Sequence, residues 1–155
     1  MRRVLVICAA LIALAVPAGA LALRADDGTL AVRNAAGDSG QVVVWLNISG
    51  AVIGQMDSGR VLVDDLSTGD DLAPVVTGAE RTRDLPSGAT AYSGTNIRFR
   101  AVGGHYWIRV AGKGIDVNVV GQGQARLAGV NGRYSLNGGP WTLVPLAGDV
   151  FRVGS

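Results

Sequence analysis

The stretch NIRFRAVGGHYWIRVAGKGIDVNVVGQGQARLAG, residues 96–129, decides the fold. Six of its seven glycines fall in close pairs: Gly103-Gly104, Gly112 with Gly114, and Gly121 with Gly123. Such spacing occurs where a backbone cradles phosphate, but dinucleotide fingerprints and P-loops need a helix directly after the glycines. Here the residues between glycines alternate apolar and polar, the period of a strand. The glycines therefore read as hairpin turns. Gly103-Gly104 as a two-residue turn suits the primed types, which need positive φ. It sets Ala101 opposite Tyr106, Phe99 opposite Ile108 and Ile97 opposite Val110. A type II′ turn at Gly112-Lys113 sets Val110 opposite Ile115 and Ile108 opposite Val117. A three-residue loop at Gly121–Gly123 sets Val119 opposite Ala125 and Val117 opposite Leu127. One register carries through three turns with only apolar residues on the inner face. A one-residue slip would invert every side chain, so the agreement is informative. The expectation is an antiparallel meander of 96–102, 105–111, 115–120 and 124–129, with Ile97, Phe99, Ile108, Val110, Val117 and Leu127 buried.

The opposite face of that meander holds the candidate binding residues: Trp107, Arg98, Arg100, Arg126, Asn118 and His105. In the predicted register Arg100 lies opposite Trp107 and can lay its guanidinium on the indole, while Asp116 relieves Arg98 and Arg109. An aromatic platform rimmed by Arg, Asn, His and Gln suits a polar ligand such as a sugar or an acidic polymer. The plainer reading is an ordinary wet face of an antiparallel sheet, with arginine stems covering an isolated ring.

Outside this stretch, short runs rich in Val, Ile and aromatics recur, among them QVVVWLNI (41–48), RVLVDD (60–65), PVVTGAERTR (74–83) and PWTLV (140–144), with turn residues between most of them. About ten short strands without βαβ alternation predict an all-β fold, a single-domain antiparallel sandwich or barrel. A short β-solenoid is the alternative. The Trp45–Gln55 and Trp107–Gln122 segments echo one another, but their spacing is not kept.

The first residues read differently. Arg2 and Arg3 precede an apolar run, Val4–Val16; Pro17 breaks it, and Ala18-Gly19-Ala20 or Ala20-Leu21-Ala22 offers a small-x-small cleavage site. This is the layout of a secretory signal peptide over 1–22, leaving 23–155 as one all-β domain. An uncleaved membrane anchor is the rival, since Val4–Leu23 carries no charge. Cleavage removes Cys8, so no disulfide can staple the domain, and about 130 residues must stabilise themselves through a packed core. It also removes Arg2 and Arg3 from a chain with 14 Lys and Arg against 12 Asp and Glu. The remaining domain is formally neutral. Bulk charge thus gives no support for a nucleic-acid partner, and a membrane role depends on an uncleaved N-terminus.

Reactive chemistry finds little footing. After the predicted cleavage the single histidine, His105, has no second His or Cys with which to share a metal, and no serine-hydrolase signature is present. Asp64, Asp65, Asp70 and Asp71 crowd one loop, but DDLSTGDD lacks the ligand order of a calcium-binding EF-hand. No cofactor, metal or catalytic residue is assigned. At TGAERTRDL (77–85) and YSGTNIRFRAVGG (92–104) the chain resembles small exported β-rich proteins of high-GC bacteria that have no assigned activity. The likeness spans about Trp45 to Leu143 and implies export and an all-β fold; arginine outnumbering lysine thirteen to one fits the same coding bias. Three functions follow, in this order: an exported non-enzymatic domain binding a cell-envelope glycan or anionic polymer, a structural module pairing through strand edges, and a small hydrolase.

Overall fold

A computed structural model describes residues 24–34, 40–68 and 73–155. The predicted signal segment lies outside the described residues, as do Asp70 and Asp71 of the acidic loop. Eight strands form one antiparallel sheet: β1 (Gly28–Asn34), β2 (Val42–Asp65), β3 (Val75–Asp84), β4 (Thr90–Lys113), β5 (Asp116–Gly129), β6 (Gly132–Leu136), β7 (Thr142–Leu143) and β8 (Asp149–Val153). The order is β3-β4-β2-β5-β1-β6-β7, with β8 paired to β5. The path ends at β3 and β7 and does not close into a barrel. The all-β antiparallel expectation holds, but the strands are fewer and longer than predicted: β2 and β4 each run 24 residues.

The predicted meander is corrected. The chain does not reverse at Gly103-Gly104; β4 runs straight through, and both of its halves pair with β2. Nor do β4 and β5 pair with each other, because β2 lies between them. Gly121 and Gly123 sit inside β5, opposite Gly50 and Ile48 of β2. Glycine within a strand marks a bulge or a close approach of two backbones, and both occur here. Gly103 is a bulge: Gly50 pairs with Gly104 and Ala51 with Val102, so Gly103 is one residue too many, at φ 89°. The extra residue shifts the alternation by one. Ile97, Phe99 and Ala101 before it, and Tyr106, Ile108 and Val110 after it, all face the core. The Tyr106 hydroxyl donates to the carbonyl of Val102 at 2.9 Å and straps the two sides of the bulge together.

The β2–β4 ribbon then rolls onto itself. Its first half pairs Val42–Met56 with Ile97–Gly112. Its second half pairs Gly59–Val63 with Thr90–Gly94, and the same part of β2 also pairs through its other edge with Ile108–Gly112. The C-terminal half of β4 is thus flanked by both halves of β2. Where the roll meets, Gly59 faces Gly112, and a β-carbon on either would run into the backbone of the other strand. The inner surface of the roll is the core, built from Val44, Leu46, Ile48, Val61, Ile97, Phe99, Tyr106, Ile108 and Val110. Leu30 and Val32 of β1 and Val117, Val119 and Leu127 of β5 extend it, and the tilted Tyr134–Phe151 ring pair packs at its margin.

Candidate functional site: the outer face of β4, β2 and β5

In β2 the alternation that sends Val44, Leu46 and Ile48 inward sends Trp45, Asn47 and Ser49 outward. Trp45 stands between Arg109 of β4 and Arg126 of β5, its two cross-strand neighbours. Their guanidinium carbons lie 5.5 and 5.3 Å from the centre of the Trp45 ring. Both distances are within cation–π range. Arg126 is exposed and Arg109 half-buried. The Nε of Arg109 is shut off from solvent and has no hydrogen-bond partner among the described residues. One row along, Asn47 lies between Trp107 and Gln124, and its Oδ1 is 2.6 Å from Nε2 of His105. With the amide oxygen as acceptor, Nε2 is the donor in this contact.

All six residues singled out from the sequence stand on this outer face, with Trp107 half-buried and the other five exposed. The predicted neighbours differ, because those rested on the meander. Trp107 lies beside Asn47 and Asp64, not Arg100. Arg100 lies between Ile53 and Val75, and Asn118 is on the far side of Ile53. Asp116 does not offset Arg109; it pairs with Arg33 at 3.3 Å and accepts from Asn118 Nδ2 at 2.9 Å. The ring flanked by two arginines is therefore Trp45, a residue to which the sequence analysis assigns no face. Its signal was available: in VVVWLNI it occupies the outward parity, next to Asn47.

The face resolves into two places. One is the Trp45 row with Arg109 and Arg126. The other is a groove of about 530 Å³ across β3, β4, β2 and β5, which holds Arg98, Arg100 and Asn118. Among the described residues none of Arg98, Arg100, Arg109 and Arg126 has a carboxylate within ion-pair distance, the Arg33–Asp116 pair being the ion pair present. Comparison of the chain with protein families, with curated proteins and with solved structures gives no match.

Proposed function

We propose that this protein is an exported, non-enzymatic β-domain that binds an anionic glycan or another anionic polymer of the cell envelope along the outer face of β4, β2 and β5. The observation that carries the reading is the row Arg109–Trp45–Arg126. A surface arginine is ordinarily balanced by a nearby acid or left free in water. Here two are held against one indole, which removes rotamer freedom before any ligand arrives. A pre-organised donor costs less to engage than a mobile one. The ring offers an apolar surface to a sugar face, and the guanidiniums offer paired donors to carboxylate or phosphate. Asn47, Gln124 and the neighbouring His105 supply further polar groups one or two rows away.

Pairing through sheet edges is the weaker reading. The edge strand β3 carries Glu80, Arg81, Arg83 and Asp84, all exposed. Charges on an edge strand keep it from recruiting another chain.

The test is retention on purified cell wall. Each exposed cation–π contact contributes about 0.5–1 kcal/mol, and the ring adds its own contact with ligand. Trp45→Ala is expected to weaken retention about five- to thirty-fold with the circular dichroism spectrum unchanged. The double substitution Arg109→Ala/Arg126→Ala is expected to weaken it at least as much and to flatten its salt dependence. Retention unchanged by that double substitution at low salt refutes the reading. Export is checked separately by the mature N-terminus, expected at Leu21 or Leu23; intact Met1–Leu23 on exported protein would instead favour an anchor.

A further inference from the structure

The groove on the same face lies about 25 Å of extended strand beyond Trp45. Its chemistry differs from that of the Trp45 row. Its central row reads Val75, Arg100, Ile53, Asn118 across four adjacent strands. Ile53 and Val75 are each 48% exposed, one on either side of Arg100. Single exposed aliphatic residues are ordinary. Two of them flanking one guanidinium, inside a concavity of about 530 Å³, make a surface that is apolar and cationic together. The volume falls in the range of small-molecule sites, about 300–1,000 Å³. Arg98 stands one row further along the same strand, also without a carboxylate partner among the described residues. The acid that lines the groove, Asp116, is already held by Arg33 and Asn118. Beneath it, Gly54 leaves room for the Phe99 ring, where a β-carbon would collide, so the floor is packed from below and Ile53 is kept outward.

We propose that this groove binds a small amphiphilic anion, a carboxylate or phosphate head on a short aliphatic body, with Arg98 and Arg100 on the head and Ile53 and Val75 on the body. The charge sets the sign of the head, since two arginines lack an acid and the one acid present is occupied. The flanking aliphatic pair sets the body, since a purely polar anion would leave both side chains wet. The site does not depend on the polymer reading, which rests on Trp45, Arg109 and Arg126.

The experiment is titration calorimetry with four probes: octanoate, octyl phosphate, acetate, and the uncharged octyl glucoside, all below their micelle concentrations. Octanoate and octyl phosphate are expected to bind at one per chain. Acetate and octyl glucoside each lack half of the recognised chemistry and are expected to bind at least about tenfold more weakly. Arg98→Ala/Arg100→Ala should bring octanoate down to the level of octyl glucoside. Ile53→Asn should bring it down to the level of acetate, and Val75→Asn on the edge strand reads the same contact if the first variant fails to fold. Trp45→Ala should leave octanoate binding unchanged while weakening cell-wall retention, so the two proposals fail separately. Octyl glucoside binding as tightly as octanoate, octanoate binding untouched by the double arginine substitution, or no octanoate binding at millimolar concentration would each overturn the assignment.

Discussion

Deleting Gly103 should unfold the protein, whereas replacing it should only weaken it. The residue is the extra one in β4, and it lets the residues on both sides of it face the same core. Removing it restores uninterrupted alternation, so one half of β4 must turn over. If the C-terminal half turns, Tyr106, Ile108 and Val110, all fully buried, go to solvent, and His105, Trp107 and Arg109 go to the core. Burial of each large apolar side chain is worth about 1.5–3 kcal/mol, so the loss is about 5–9 kcal/mol before the cost of burying arginine. A domain's whole stability is about 5–15 kcal/mol. Gly103→Ala keeps the count. Its β-carbon would meet nothing within 4 Å, so the cost is confined to holding a non-glycine residue at φ 89°, roughly 1–3 kcal/mol. With a urea m-value of about 2 kcal/mol/M, the midpoint should fall by about 0.5–1.5 M. Urea titration followed by tryptophan fluorescence and far-ultraviolet circular dichroism separates the two variants. A deletion variant that unfolds cooperatively with a midpoint within about 0.5 M of the parent would refute the bulge as the device that sets both faces.

Tyr106→Phe should cost about 1–3 kcal/mol in the same titration, because it removes the donor from the carbonyl of Val102 at the bulge; no change would show that the strap is dispensable. Asn34→Ala should cost a similar amount, about 1–3 kcal/mol: its buried Oδ1 accepts from the amide of Ile115 at 2.6 Å, where β1 meets the start of β5. Hydrogen exchange at Ile115 should accelerate in that variant by more than at Val117, two residues further into the β1–β5 pairing.

The faces of β4 and β5 were legible in the sequence, while their partners were not, and one physical coincidence explains both. A two-residue hairpin at Gly103-Gly104 and a one-residue bulge at Gly103 each shift the alternation by one. Ile97, Phe99, Tyr106, Ile108 and Val110 therefore point inward under either reading. Likewise the three residues Gly121–Gly123 keep the parity of Val119 and Ala125 whether they form a loop or continue a strand. Glycine cannot tell these cases apart, since the same freedom serves a turn, a bulge or a close backbone approach. What separates them is the partner strand, and β2 begins more than fifty residues before Asn96. The site inherited this split. Arg98, Arg100, His105, Trp107, Asn118 and Arg126 were placed on the correct outer face, and Arg100 and Asn118 do share a row, across Ile53, but Trp107 and Arg126 do not belong to it. Trp45 went unassigned because its importance comes from two cross-strand neighbours, one 64 and one 81 residues away in sequence.

Formal neutrality after residue 22 and the cationic binding face proposed above are compatible because exposed charges act locally. Charges in water at 0.1 M salt are screened within about 10 Å, so a ligand at Trp45 responds to Arg109 and Arg126 far more than to the total for the chain. Among the described residues, four acids have partners away from this row: Asp116 pairs with Arg33, Asp84 accepts from the hydroxyl of Thr90, Glu80 from that of Thr95, and Asp65 from the amide of Ser67. Two acids stand close to the row: Asp64, beside Trp107, and Asp149, which precedes the Val150 that lies opposite Arg126. The sign of the salt response follows. Binding through the Trp45 row should weaken as salt rises although residues 23–155 carry as many acids as cations, and Asp64→Asn should strengthen it at low salt by removing a nearby competing acid. A fall in retention on Asp64→Asn would instead mean that the ligand approaches as a cation, and the anionic reading of the face would be wrong at its foundation.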